Sequence, residues 1–451
     1  MDTRADRTAI ANLPVAELED ALEAFLAPVA AELPEERLRR VLVQAVQGIV
    51  GSPSPVVTAV ARGVEREQEH AWPLAKRIYR FLANGRFGHR QLLRGLVRIA
   101  RRAVAAVNPA YLVVALDPVN FEQPDTKKLA AVCTVMQRTP PGPDGEKRRT
   151  PGSSAVTAAV VHLPSPVVCY AHWCSYRAKD VRSENREWWQ RPPCGRQRRA
   201  TRLVFPRRRR RFVGDSGLDD QKLFAQVRQV QAEFVVRVSQ LNRLVEVYNA
   251  RLDRWETAAL ADLVATVPLG LRLEAAFQHA RRERRVTVES GWLTIRLPGQ
   301  DWPLWLLVAH DPDLDRDLVL LTNVPIRSAL DAQTVYTDWR HRPQIEHTYR
   351  FDQEDGLDVE DMRVRKLERM RRLFLLVLLA AMFVSHLGLA WPEPAVRWLR
   401  CPPTPAGRPC KLGLRIDRDG PYLLLADIRA VFVTAATLAY AAHYPFPRGG
   451  T

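Results

Sequence analysis

The stretch WRHRPQIEHTYRFDQEDGLD, Trp339 to Asp358, sets a single carboxylate, Glu346, among arginines and aromatic residues. At helical spacing, positions i−4, i, i+3, i+4 and i+7 share a face, which here would carry Arg342, Glu346, Tyr349, Arg350 and Gln353. One reading is a solvated helix crossed by intrahelical ion pairs. The other is a carboxylate for a metal, flanked by groups that hold a phosphate backbone. Pro343 falls in the first turn, which puts Arg342 at the cap rather than on the helical face. The rest of the chain has to choose between the two.

The chain has 451 residues, 47% hydrophobic and 26% charged, a composition that folds and fills two to four structural units. Lys plus Arg is 67 against 50 for Asp plus Glu, a formal charge of +17. An excess of that size points to a polyanionic partner, nucleic acid first. The opening MDTRADRTAIANLP is charged and lacks an apolar core, so a cytoplasmic protein with reduced thiols is expected. Of the six cysteines, CYAHWC with the distant Cys194 is poor arithmetic for a zinc site. LFLLVLLAAMFVSHLGLAW, Leu373 to Trp391, approaches the ~20 residues of a membrane span. Ser385, His386 and Gly388 interrupt it, and a buried core helix is the preferred reading over a membrane protein.

Five regions follow from the patterning. Residues 1–107 carry apolar residues at three- and four-residue steps and read as a helical N-terminal, DNA-binding domain with a basic face. Residues 108–240 open with YLVVALDPVNFE, a run expected to end at Asp117-Pro118, followed by two strand candidates, KLAAVCTVMQRT and SSAVTAAVVHL. They include a basic loop over 176–211, too arginine-rich to pack and suited to clamping a phosphate backbone. A strand then ends in Asp215, with a helix from Leu223 to Val230 and a strand from Phe234 to Val238 after it. Residues 241–326 read as a mostly β insertion, 327–391 as the second part of the core, and 392–451 as a helical tail.

Three carboxylates thus stand in comparable settings: Asp117 and Asp215 at strand ends, and Glu346 on a helix after the β unit. Here the sequence resembles the DDE (Asp-Asp-Glu) transposases of bacterial insertion sequences, the branch with a β insertion before the last acid. Their hallmark is Y-x2-R-x3-E-x6-K. Anchored on Glu346, the Arg position falls on Arg342, the Tyr position on Trp339 and the Lys position on Gln353. IEHTYRF with LTNVPI upstream, VGDSGLDDQKLF with FVVRV, and VVALDPVNFE are similar to the family's three acid-bearing segments, and the likeness runs from about Ala110 to Met382. The departures are Gln353 for Lys, Trp339 for Tyr, and Asp215-Ser216 where Asp-Arg is common.

The resemblance implies an α/β fold: a ribonuclease H-like catalytic core with the β insertion, a helical N-terminal domain and a helical tail. It implies a metal-dependent endonuclease and strand transferase with Asp117, Asp215 and Glu346 as catalytic metal ligands. Two Mg²⁺ ions ~3.5–4 Å apart, with Mn²⁺ able to substitute, would activate a water or 3′-hydroxyl and steady the leaving oxygen. Trp339, Arg342, Tyr349, Arg350, Gln353 and Arg237 would contact double-stranded DNA, both transposon ends and target. A homodimer on DNA in the bacterial cytoplasm, associated with the nucleoid and with no membrane, completes the expectation. A decayed or repurposed DNA-binding relative is the alternative.

Overall fold

The computed structural model describes residues 15–52, 54–64, 68–123, 132–136, 149–174, 205, 208–279, 282–314, 317–345 and 359–390. The chain opens with five helices: α1 (Val15–Ala30), α2 (Glu36–Gly51), α3 (Val57–Val64), α4 (Gln68–Ala83) and α5 (His89–Val107). Helix α5 shows why. Leu92, Leu96, Ile99, Ala100 and Val104 recur at three- and four-residue steps and are buried, while Arg90, Arg94, Arg98, Arg101 and Arg102 face out. Asn108 ends it in the left-handed conformation at φ 49°. Part of the basic face is already matched, since Arg94 and Arg98 both pair with Glu32 at the end of α1.

The strands are β1 (Leu112–Glu122), β2 (Cys133–Met136), β3 (Arg149–Val160), β4 (Val167–Trp173), β5 (Arg210–Gly214) and β6 (Glu233–Arg237), with α6 (Gln221–Gln229) between the last two. β1 runs through Asp117-Pro118 instead of ending there. Its pairing with β5 stops at Ala115, so Pro118 has a strand partner on one side only, the edge-like setting a proline tolerates. β4 was not anticipated: VVCYAHW is buried at every position and shows no alternation. Cys169, in β4, donates its thiol to the Ala158 carbonyl, and burial pushes its pKa up to about 12. It is a core residue rather than a metal ligand.

The run Arg208–Arg211 corrects the expectation of an unpacked clamp. Arg210 and Arg211 lie buried in β5. Arg208 donates to the Pro109 carbonyl, Arg209 pairs with Glu233, Arg210 reaches the Phe205 and Val230 carbonyls, and Arg211 pairs with Glu233 and Asp338.

Beyond β6 come β7 (Leu244–Asn249), β8 (Arg254–Ala259), α7 (Leu260–Thr266), β9 (Leu271–His279), β10 (Arg282–Arg296), β11 (Leu304–His310) and β12 (Leu318–Thr322). These strands continue the core sheet, because β12 hydrogen-bonds to β6 in antiparallel register. The twelve strands described form one sheet, ordered β2-β3-β1-β5-β6-β12-β11-β10-β7-β8, with β4 beside β3 and β9 beside β10. At its centre β1 is antiparallel to β3 and parallel to β5, and β5 is parallel to β6.

Helix α8 (Ala329–Arg340) packs on β9, β6 and β5, and α9 (Leu367–Ala390) packs between β4 and the N-terminal helices α2, α5 and α4. Over Leu367–Leu387, α9 is long and apolar enough to cross a bilayer, and 83% of that apolar window is buried. Phe374 packs edge-on against Phe121 of β1 and Trp173 of β4, ring centroids 5.7 and 5.2 Å away, which makes α9 the core helix its sequence suggested. The tail over 392–451 lies outside the described residues.

Candidate active site

Parallel register brings the two aspartates together. Ala115 of β1 stands beside Val213 of β5, and Val213 beside Val235 of β6. Two residues beyond these pairs are Asp117, inside β1, Asp215, just after β5, and Arg237, the last residue of β6. Residues two apart in a strand share a sheet face, so Asp117 and Arg237 follow the faces of Ala115 and Val235. Ligands in open α/β sheets collect beyond the carboxyl ends of parallel strands, where Asp215 and Arg237 stand.

Each aspartate is held locally. Asp117 sits within the strand, opposite Thr157 of β3, and is buried. Asp215 caps the 3₁₀ turn Ser216–Leu218, its Oδ1 accepting from the Gly217 N–H at 2.9 Å. A Cβ on Gly217 would lie 3.2 Å from that oxygen, tighter than ordinary contact, so glycine suits the fold-back. The Asp215 side chain stays 38% exposed, which leaves the site open on its side.

Arg342 lies between them. Its Nη2 is 3.6 Å from Asp117 Oδ1 and 3.4 Å from Asp215 Oδ2. The backbone explains this placement. α8 ends at Arg340, the chain turns at His341 and Arg342, and a new helix begins at Pro343, so Arg342 occupies the cap. His341 beside it is kept neutral, its pKa pushed down to about 4 by burial and, to a lesser degree, by His162.

The last turn of α8 is fastened to the sheet just behind the site. The Trp339 indole N–H donates to the Gly214 carbonyl at 3.0 Å. Asp338 accepts from Arg211 of β5 and from the Tyr111 hydroxyl at 3.0 Å. Burial pushes the Asp338 carboxyl up to about 6 against the pull of the Arg211 guanidinium and the Tyr111 hydroxyl. The same burial, with Asp338 next to it, takes Tyr111 to about 12.

Of the residues expected to form the site, Asp117, Asp215 and Arg342 are brought together, with Arg237 one strand further along. Two residues expected to contact DNA are engaged within the protein. Trp339 is 5% exposed and spends its indole on Gly214, so it is a core tether rather than a stacking surface. Arg342 is buried against the two aspartates. Glu346, Tyr349, Arg350 and Gln353 lie outside the described residues. Among the described residues no three of His, Cys, Asp or Glu gather at one point. Tyr111, Arg211 and Asp338 were missed. Asp338 directly precedes Trp339, and a polar residue so placed on a helix that must pack against a sheet was the available signal.

Residues 193–383 match the family model of the transposase DDE domain. The match supports a DDE transposase family; it takes in Asp215, Trp339, Arg342 and Glu346, and Asp117 precedes it. No curated protein matches the chain.

Proposed function

We propose that the protein is a transposase that cleaves and joins DNA strands at insertion-sequence ends, with Asp117, Asp215 and Glu346 as its metal-binding carboxylates. The observation that carries this reading is the level placement of Asp117 and Asp215 on adjacent parallel strands, with a cation already between them. Three antiparallel strands, β4-β3-β1, followed by two running parallel to β1, support a ribonuclease H-like core. The match to the transposase DDE domain supports the activity.

The donor set fits Mg²⁺. Carboxylate oxygens are the hard ligands it prefers, and a guanidinium nitrogen within 3.6 Å of both aspartates marks the space between them as a cation position. When bound, the ions supply Lewis-acid stabilisation of the charge that builds on the attacking and leaving oxygens. The protein supplies position. Asp117 is fixed by its strand, Asp215 by its fold-back onto Gly217, and the tethers of Trp339 and Asp338 fix where the chain enters the segment bearing Glu346. Tyr349, Arg350 and Arg237 hold the DNA backbone beside the scissile phosphate. The enzyme works as a homodimer pairing two ends at the bacterial nucleoid.

The test uses a duplex carrying the inverted repeats that flank the coding region. Asp117→Asn, Asp215→Asn and Glu346→Gln should each lower Mg²⁺-dependent nicking about a thousandfold or more, the scale on which lost transition-state charge stabilisation shows. Gel-shift binding of the same duplex should survive. Unchanged nicking by Glu346→Gln would make Glu346 a surface acid, and unchanged nicking by all three would overturn the reading.

A further inference from the structure

The hairpin β7–β8 lies at the opposite end of the strand order from β2, and its two faces differ. Val245 belongs to the core and is fully buried, while Leu244 and Tyr248 are 56% and 46% exposed. Side chains alternate along a strand, so Leu244, Glu246 and Tyr248 share the outer face. Register adds Trp255 and Thr257 of β8, opposite Tyr248 and Glu246, and Arg296 of β10, also opposite Glu246. The Trp255 and Tyr248 ring centroids are 5.7 Å apart, and the Arg296 guanidinium lies 4.2 Å from the centre of the Trp255 ring. Leu241 and Leu252, also exposed, flank β7 at its two ends. Of the seven large apolar side chains exposed among the described residues, four therefore fall between Leu241 and Leu252. Single exposed apolar residues need no explanation, but a cluster of them on one hairpin marks an interaction surface.

Charge decides what this surface meets. The chain carries +17, yet here Arg251, Arg254 and Arg296 are balanced by Glu246, Asp253 and Glu256. Arg243, the remaining cation of the segment, is buried on Asp219. Arg254 pairs with Glu256 at 2.9 Å, Arg296 pairs with Glu246, and Asp253 accepts from the Tyr248 hydroxyl. A surface for DNA would carry an excess of cations, whereas this one is neutral and apolar. Two copies of so basic a chain repel one another over much of their surface. A neutral apolar face, its ion pairs closed within each copy, lets them touch without bringing like charges together. A two-fold axis lets one such face cover itself. We propose that the outer face of β7–β8 is the interface between two copies of this chain, with Leu244, Tyr248 and Trp255 at its centre. It gives the homodimer of the proposed function its surface, and it rests on that part of the reading and not on metal binding.

The experiment is sedimentation velocity on the full chain, free of DNA, from about 1 to about 100 μM. The parent should form a dimer that tightens as salt rises, because salt screens the repulsion between two positive chains. Leu244→Glu/Tyr248→Glu sets like charges against each other across the two-fold axis and should weaken association about a hundredfold or more. Both side chains are exposed, so its urea unfolding should match that of the parent. A double variant that dimerises as the parent does overturns this surface and leaves the homodimer standing. A parent that stays monomeric overturns both, while Mg²⁺-dependent nicking by the same protein would keep the metal reading. Loss of gel-shift binding by the double variant, with its oligomeric state unchanged, would make the face a DNA surface and also overturns the proposal. Should the double variant fail to fold, the parent decides. Hydrogen exchange in peptides spanning 241–259 should slow as the protein is concentrated through dimerisation, and exchange indifferent to concentration overturns the proposal.

Discussion

Arg342 and Arg372 are both buried arginines, 8% and 4% exposed, and their surroundings give them opposite roles. Arg372, on α9, donates through Nη1 to the carbonyls of Phe81, Leu82 and Asn84 and through Nη2 to that of Phe87, at 2.6–3.2 Å. Its guanidinium lies 4.5 Å from the centre of the Phe87 ring. The first three carbonyls close the end of α4, where a helix leaves acceptors unsatisfied and its dipole favours a cation, and Phe87 lies just before α5. These carbonyls are fixed by the backbone, and Glu368 Oε1 also accepts from the Arg372 Nε–H at 3.3 Å. Arg342 faces two charged carboxylates at longer range, in a site open on one side. Burial alone does not make an arginine a bolt; the chemistry of the atoms it meets does.

The comparison breaks most readily at Arg372. Arg372→Ala strands several buried acceptors and releases α9 from the N-terminal helices, and should cost about 3–5 kcal/mol in urea unfolding. A loss under about 1 kcal/mol would mean that water or neighbouring groups replace the guanidinium, and that Arg372 is no bolt.

A smaller effect appears with acid. Glu368, one turn before Arg372, binds the start of α5, accepting from the His89 backbone N–H and contacting the His89 ring, each at 2.7 Å. Burial pushes the Glu368 carboxyl up, but the His89 hydrogen bonds outweigh it and hold the pKa down at about 2, below the ordinary 4.5. A depressed carboxylate contributes stability that is present above its unfolded pKa and lost as pH falls through the folded one. Part of the stability should therefore disappear between about pH 4.5 and pH 2, and Glu368→Gln should flatten that limb in a pH series of unfolding curves. An unchanged limb would detach Glu368 from the joint.

The smallest effect is expected at Arg342. Arg342→Gln should alter unfolding by about 1 kcal/mol or less, since the Asp215 side of the pair is solvent-screened. A loss as large as that of Arg372→Ala would make Arg342 a second bolt.

Much of the central sheet was legible because local pattern specified it. The strand ending at Asp215 and the helix after it follow from FVG, a capping acid and an apolar three- and four-residue rhythm. α9 was readable as a core helix because Ser385, His386 and Gly388 interrupt its apolar run, although its length and hydropathy alone would span a bilayer. What sequence withheld was non-local. Asp338 meets Arg211 across 127 residues, and that contact, with Glu233 and the pairing of β5 to its neighbours, turns an arginine run into sheet interior instead of a loop. β7, β8 and β9 escaped because they are short or carry charged residues on their outward faces, as in RWETAA and LRLEAAFQH. Asp215 could be picked out as a strand-end acid, whereas Asp117 lies inside a strand that runs on to Glu122. Their neighbourhood required the parallel register of β1 and β5, and the arginine between them required the turn at His341 that no periodicity announces.

The central claim is that the space between Asp117 and Asp215, completed by Glu346, is where metal binds. Iron-directed cleavage tests it most directly: Fe²⁺ is substituted, ascorbate and peroxide are added, and the backbone breaks are mapped by mass spectrometry. Breaks are expected beside Asp117, Asp215 and Glu346, suppressed by added Mg²⁺ and absent from Asp117→Asn/Asp215→Asn. Breaks confined elsewhere, or breaks at these positions that neither Mg²⁺ nor the double substitution removes, would contradict it.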